Sequence, residues 1–256
     1  MKNIFEVHRK TKNNIGDYWC NPSRYFDFGD IQSGELLYNK FPIKDQTIII
    51  GGGGLIHKKF SNHIQQLLDK NPKTSIIWGI GHNFSRKHEH KSVKPYYPDW
   101  INRVSLVGIR DWVSGYHELY LPCVSCMHPA FDKKYETKHD MVFYTHAFKS
   151  KYQYRTGDIW MKNSETDFNK VIEFLGSSKT VITDSYHGAY WGQLLGKDIR
   201  VLSWSVKFDH MKYPPSFLSH INNWEDISPS IVPDNFLNEC RTLNKDFYKK
   251  ALNLIQ

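Results

Sequence analysis

Short apolar runs alternate with amphipathic stretches from one end of the chain to the other. The run in NIFEVH has the length of a strand, and polar residues follow in KNNIGDYWCNPSRYF, where Gly16-Asp17 marks a turn and Asn21-Pro22 lies a few residues on. QTIIIGGGGLI then carries a buried strand into four glycines. In KKFSNHIQQLLDKN, Phe60, Ile64, Leu67 and Leu68 share one helical face, and the pattern stops at Asn71-Pro72. TSIIWGIG and RVSLVGIRD supply two further strands, the second ending at Arg110-Asp111. Strand, helix, strand is the rhythm of a parallel sheet.

The segment YLPCVSCMHPAFDKKYETKHD passes from an extended apolar run to a lysine-rich polar stretch, which places a domain boundary near residues 132–139. The rhythm restarts beyond it. MVFYTHAF, GDIWMKN, TVITD and KDIRVLSW read as strands, and ETDFNKVIEFLGSS as a helix with Phe168, Val171, Ile172 and Leu175 on one face. A last helix runs through DNFLNECRTLNKDFYKKALNLI, with Asp234 placed to cap it after Pro233. The expected fold is α/β, with two doubly wound Rossmann-like domains at 1–135 and 136–256 and a C-terminal helix that crosses back toward the first. In such sheets ligands sit beyond the carboxyl ends of the strands, so chemistry is sought there.

Composition narrows the classes. At 256 residues and 40% hydrophobic content the chain can bury real cores, which argues against disorder. Its formal charge of +8 favours an anionic partner, yet the cations are scattered, and the densest run, SRKHEHK at 85–91, reads as a solvated loop. No helix-turn-helix, zinc-finger or RNP pattern accompanies the charge, so nucleic acid is not an expected partner. No apolar run approaches the ~20 residues of a membrane span and the first residues lack a signal-peptide core, so a cytoplasmic protein is expected. The four cysteines then read as reduced thiols. Cys123 and Cys126 form a CxxC without a second ligand pair, which favours a structural role over metal or redox use.

Four strand ends carry candidate chemistry: Gly16-Asp17, Gly51 to Gly54, Arg110-Asp111, and Asp184 to Gly188. Gly52, Gly53 and Gly54 belong to a run that either cradles an anion with backbone N–H groups or simply turns the chain. Arg110 offers a planar fork to a carboxylate or phosphate, or else pairs with Asp111. In VITDSYHGAYWGQLLGK, Ser185, Tyr186, His187 and Gly188 occupy the turn where a helix begins. N–H groups there favour an anion, Ser185 adds a donor, and His187 either exchanges a proton or holds the turn. Asp17 is either a base or a turn residue.

The ordered set NIGDYW, IIIGGGGLI, SLVGIRD, VITDSYHGAYWGQLLGK, VLSW and NECRTLNKDFYKKAL resembles the polysaccharide pyruvyl transferases and covers most of the chain. The resemblance implies a fold like that of GT-B glycosyltransferases, phosphoenolpyruvate as donor, and a sugar hydroxyl pair as acceptor on a surface glycan or its lipid-linked precursor, with peripheral membrane association compatible. The product is a pyruvate ketal. It implies that Arg110 binds the donor and that His187 is the general acid, its pKa raised by the adjacent anion. Some members carry arginine two residues before the histidine, where this chain has Ser185. The scheme needs no metal or cofactor. Two other classes stay open: a nucleotide-sugar glycosyltransferase, although no E-x7-E spacing occurs in 181–203, and a non-catalytic sugar or anion binder. HAFKSKYQYRTGDIW, at 146–160, reads either as an aromatic acceptor wall or as ordinary core and surface.

Overall fold

The computed structural model describes residues 4–255, apart from 12, 39, 85–96, 151, 153–154 and 221–223. The SRKHEHK run lies outside the described residues, as does part of the 146–160 stretch. The first sheet contains β1 (Ile4–His8), β2 (Ile31–Glu35), β3 (Thr47–Ile50), β4 (Gly53–Ile56), β5 (Thr74–His82) and β6 (Leu106–Ile109), all paired in parallel. β3 pairs with Thr74 to Ile77 of β5, and β4 with Ile80 and His82, while β6 pairs with Ile76, Ile77 and Ile80. β3 and β4 therefore lie end to end along one edge of β5, with β6 on the other. The four-glycine run is thus a kink inside one strand lane rather than a turn into a helix.

The second sheet contains β7 (His139–Thr145), β8 (Trp160–Lys162), β9 (Ser178–Thr183), β10 (Asp198–Val201) and β11 (Ser216–Phe217), again all parallel. Its spatial order is β8-β7-β9-β10-β11 and that of the first is β2-β1-β3-β5-β6. In each, the first strand is central, the second lies to one side and the rest to the other. The direction reverses between β1 and β3, and between β7 and β9, which makes a topological switch point in each sheet. The central strands are buried on both faces, so they read as unbroken apolar runs. β2, with sequence IQSGE, is a half-exposed edge strand without such a run and leaves no comparable signal.

Helices cover the sheets. α1 (Ile15–Tyr18) is a single turn in which Gly16 and Asp17 are helical rather than in a reverse turn. α2 (Lys58–Leu68) buries Ile64, Leu67 and Leu68 against the first sheet, and α3 (Phe168–Gly176) is capped by Asp167, whose carboxylate accepts from the Asn169 and Lys170 N–H groups. α4 (Tyr186–Leu194) is buried on every side. It fits because Gly188 lies against Thr183 and Tyr144, where a Cβ would come within 2.5 Å of both side chains. Among the described residues, no helix is long and apolar enough to cross a membrane.

α5 (Phe236–Ile255) straps the two sheets together. Phe247, Ala251 and Ile255 pack with Ile4, Ile49, Ile76 and Trp78 of the first sheet, whereas Phe236 and Cys240 join the core around α3 and α4. The helix starts at Phe236, so Asn235 rather than Asp234 stands immediately before it. At its centre Asn244 is fully buried: its Oδ1 accepts from Trp78 Nε1 at 2.8 Å, and its Nδ2 donates to Pro122 O at 3.1 Å. Arg241 Nε donates to Cys126 O at 2.9 Å. The segment from Pro122 to Met127, which holds the CxxC, is the join between the sheets, and α5 is bolted to it. Replacing Asn244 by Leu would orphan the Trp78 N–H and the Pro122 carbonyl, at about 1–3 kcal/mol for each group left unpaired. Asn244→Leu should lower the melting temperature by several degrees in a thermal scan; an unchanged midpoint would show that this polar bolt is dispensable.

Candidate functional site

The two switch points face one another across a cavity of about 240 Å³. Most wall residues stand just beyond a strand's carboxyl end or in the loop that follows. Arg9 and Thr11 follow β1, Asn83 follows β5 and Arg110 follows β6; opposite them, His146 and Lys149 follow β7, Ser185 follows β9, and Trp204 and Lys207 follow β10. Asp17 reaches the wall from α1, and Gly54 from the kinked lane. α1 is held to the second sheet by Ile15 N–H donating to Asn163 O at 2.9 Å and Asn163 Nδ2 donating to Asn14 Oδ1 at 3.2 Å.

Arg110 is 3% exposed, and its guanidinium carbon lies 3.7 Å from the centre of the Tyr186 ring. Its Nε is buried without a hydrogen-bond partner, and among the described residues the side chain makes no ion pair. Asp111 makes no hydrogen bond to it: the Asp111 Oδ2 turns to His82, accepting from the backbone N–H at 2.7 Å and from Nδ1 at 2.6 Å, and its Oδ1 is buried without a hydrogen-bond partner beside Gly81, as is the Arg110 Nε. Lys207, 6% exposed, holds its ammonium 4.1 Å from the Trp204 ring. Burial, then Arg110 and Lys149, push its pKa down to about 7. Lys149 lies at the same 4.1 Å from Trp204, its pKa also lowered by burial.

The nearby carboxylates do not balance these cations. Asp184 Oδ1 accepts from the His146 N–H at 2.6 Å, and burial raises the pKa of both Asp184 and Asp17. Buried charge is costly unless it is paired, so negative charge brought into the cavity would offset the cost of this wall. α4 adds to it. Ser185 occupies the N-cap position with extended backbone, but its side chain accepts no N–H, so the first amides of α4 keep their donors free of side-chain caps beside the cavity.

His187 lies on this wall with its ring against Gly16, where a Cβ would fall 1.9 Å from Nδ1. Its Nε2 is 3.5 Å from Cys123 Sγ. Burial, followed by Arg110 and Lys207, holds its pKa well below the usual imidazole range. The expected charged imidazole is therefore not what the fold provides: His187 is held neutral.

The structure brings Asp17, Gly54, Arg110, Ser185, Tyr186 and His187 to one cavity. It leaves Gly52, Gly53 and Gly188 off its wall. The Gly51 N–H donates to Val7 O at 2.8 Å and the Gly52 N–H to Cys20 O at 3.0 Å, so these amides serve the fold rather than a ligand. Gly53 takes φ 104°, which fits the kink, and Gly188 serves helix packing. From the 146–160 stretch, His146, Phe148 and Lys149 line the cavity, whereas Trp160 is half exposed on β8. Sequence reasoning missed Lys207, Trp204 and Asn83. Their one signal was position after a strand, in loops without periodicity. The four cysteines are free and buried, so Cys123 and Cys126 form no disulfide.

No protein-family model matches the chain, and no curated protein does. Among solved structures it is similar to the crystal structure of a functionally uncharacterised protein from Klebsiella pneumoniae, with a TM-score of 0.52 and 16% identity over 86% of this chain and 93% of that one. The likeness is one of fold.

Two substitutions test the wall. Arg110→Lys keeps the charge but loses the planar fork, so sulfate affinity measured by calorimetry should fall about tenfold. Gly16→Ala places a methyl group where the His187 ring lies and should weaken sulfate binding by a similar factor, with far-ultraviolet circular dichroism unchanged. Wild-type affinity in both variants would remove the anion-site assignment.

Proposed function

We propose that the chain is a pyruvyl transferase of the polysaccharide type, moving the enolpyruvyl carbons of phosphoenolpyruvate onto a hydroxyl pair of a glycan or lipid-linked oligosaccharide. One observation carries this reading: Arg110, Lys207 and the uncapped α4 terminus converge on a cavity of about 240 Å³, and among the described residues neither cation makes an ion pair with a carboxylate. A small metabolite bearing both a carboxylate and a phosphate fits that charge. Lys207 supplies the cation that Ser185, standing where some pyruvyl transferases carry arginine, does not. Two doubly wound units meeting at their strand ends are also the arrangement expected of a GT-B-like transferase.

The chemistry follows from the wall. Addition to the enol ether needs a proton at C3 while a hydroxyl oxygen bonds to C2. Lys207, with a pKa of about 7, is a better proton donor near neutrality than a histidine held neutral. Its ammonium gives the proton to C3, and Asp17 takes the proton of the incoming hydroxyl. Burial raises the Asp17 pKa, which strengthens it as a base. Phosphate then leaves from C2, and the second hydroxyl closes the ketal, its proton passing to the Lys207 amine, while the proton taken by Asp17 leaves with the phosphate. Arg110 and the α4 amides hold the carboxylate and phosphate, and stabilise the leaving dianion.

Candidate glycans incubated with phosphoenolpyruvate should gain a pyruvyl mass increment with release of inorganic phosphate, and nucleotide sugars should give none. A hexosyl increment, or binding of phosphoenolpyruvate without turnover on any acceptor, would overturn the assignment. Activity should also report the state of Lys207. The acid form predominates below its folded pKa, so kcat/KM should fall as pH rises through about 7. Lys207→Met should lose ~10²-fold or more in turnover and abolish that limb of the profile. A profile unaltered by the substitution would place the proton donor elsewhere.

A further inference from the structure

Behind the cavity wall, a line of buried polar groups runs from α4 to the join between the sheets. Trp191 Nε1 lies 2.9 Å from Ser125 Oγ, Ser125 Oγ lies 3.2 Å from Cys123 Sγ, and Cys123 Sγ lies 3.5 Å from His187 Nε2. Ser125 and Cys123 are completely buried. The direction of this chain follows from its first member. An indole nitrogen can only donate, so Ser125 Oγ accepts from Trp191. The single Ser125 hydroxyl proton is then available to Cys123 Sγ. With its sulfur accepting from Ser125, the Cys123 S–H is left to donate, and His187 Nε2 is the acceptor in reach. Burial pushes the Cys123 thiol pKa up, so the thiol keeps its proton.

A neutral imidazole that accepts at Nε2 carries its proton on Nδ1. In His187 that nitrogen lies against Gly16 on the cavity wall, and among the described residues no protein group accepts from it. We infer that Cys123, oriented by Ser125 and Trp191, is a positioning residue that fixes His187 as the Nδ1–H tautomer, and that His187 acts as an uncharged hydrogen-bond donor to an oxygen of the bound anion. The cations beside it suit this role, because they disfavour an imidazolium while leaving the N–H dipole in place. A donor already oriented and neutral needs no proton uptake before it binds. The CxxC pattern then has its explanation: Cys123 tunes the wall and Cys126 accepts from Asn244 Nδ2 in the join.

This inference rests on reading the cavity as an anion site, but its readout needs neither sugar nor phosphoenolpyruvate, so its failure is separable from that of the transferase assignment. Long-range proton–nitrogen correlation spectra of histidine-labelled protein distinguish a protonated ring nitrogen from a bare one. His187→Gln identifies the cross-peaks among the 13 histidines. The wild-type protein should show His187 protonated at Nδ1 and bare at Nε2, with the Nδ1 proton shifting as sulfate is added. Cys123→Ser keeps a donor and should preserve that pattern. Cys123→Ala should move His187 toward the Nε2–H form and weaken sulfate binding about tenfold, the scale of losing one hydrogen bond to a charged ligand. A wild-type Nε2–H tautomer or imidazolium would overturn the inference, and so would an unchanged tautomer in the alanine variant.

Discussion

A guanidinium and an ammonium buried on one cavity wall, each without an ion-paired carboxylate among the described residues, are expensive to assemble: desolvation costs several kcal/mol per ion. Arg110 and Lys207 are in this position, and the rest of the site reflects it. Their field, with burial, drives Lys207 down to about 7 and holds His187 neutral. Asp17 and Asp184 act on Lys207 in the opposite sense but do not outweigh burial and the neighbouring cations, and the Asp184 Oδ1 accepts from the His146 amide. An anionic ligand would offset that cost on binding, which is the physical basis of the proposed function.

The architecture explains how the charges come together. Each parallel sheet reverses its winding beside its first strand, and the crevice that results opens at the strands' carboxyl ends. One crevice would offer a groove; two facing crevices make a cavity with a wall from each half of the chain. Their mutual placement depends on the join at Pro122 to Met127 and on α5, whose two halves sit in different cores. Tyr190 OH donates to Cys123 O at 2.9 Å, so the join also anchors the helix that presents His187. Fold and site share the same residues there.

Much of this was legible in the sequence. The apolar strand runs, the helix faces at Ile64 to Leu68 and Phe168 to Leu175, and the restart of the βα rhythm come from burial on both faces of central strands. Arg110, Ser185, Tyr186 and His187 were singled out by position alone, since a polar residue ending an apolar strand has few structural reasons to be there. Other features depend on long-range geometry that no local pattern records. The edge strand β2 lacks an apolar run, and the glycine run looks the same whether it kinks a strand or cradles a phosphate. What separates these is where the Gly51 and Gly52 amides point. Lys207 resembles any surface lysine until the loop after β10 folds it beneath Trp204. An anion and Arg110 were foreseen beside His187, but not its depth of burial or the second cation, Lys207, which lower its pKa.

If buried, under-compensated positive charge is the organising feature, binding an anion must draw protons into the site, because the ligand reverses the penalty that keeps Lys207 deprotonated above its folded pKa. Calorimetric titration with sulfate at pH 8, repeated in buffers of different ionisation enthalpy, counts those protons. Sulfate does not titrate near this pH, so any proton taken up belongs to the protein. The account predicts a net uptake approaching one proton per site. Binding with no proton exchange would contradict it and would mean that Lys207 is fully charged before the ligand arrives.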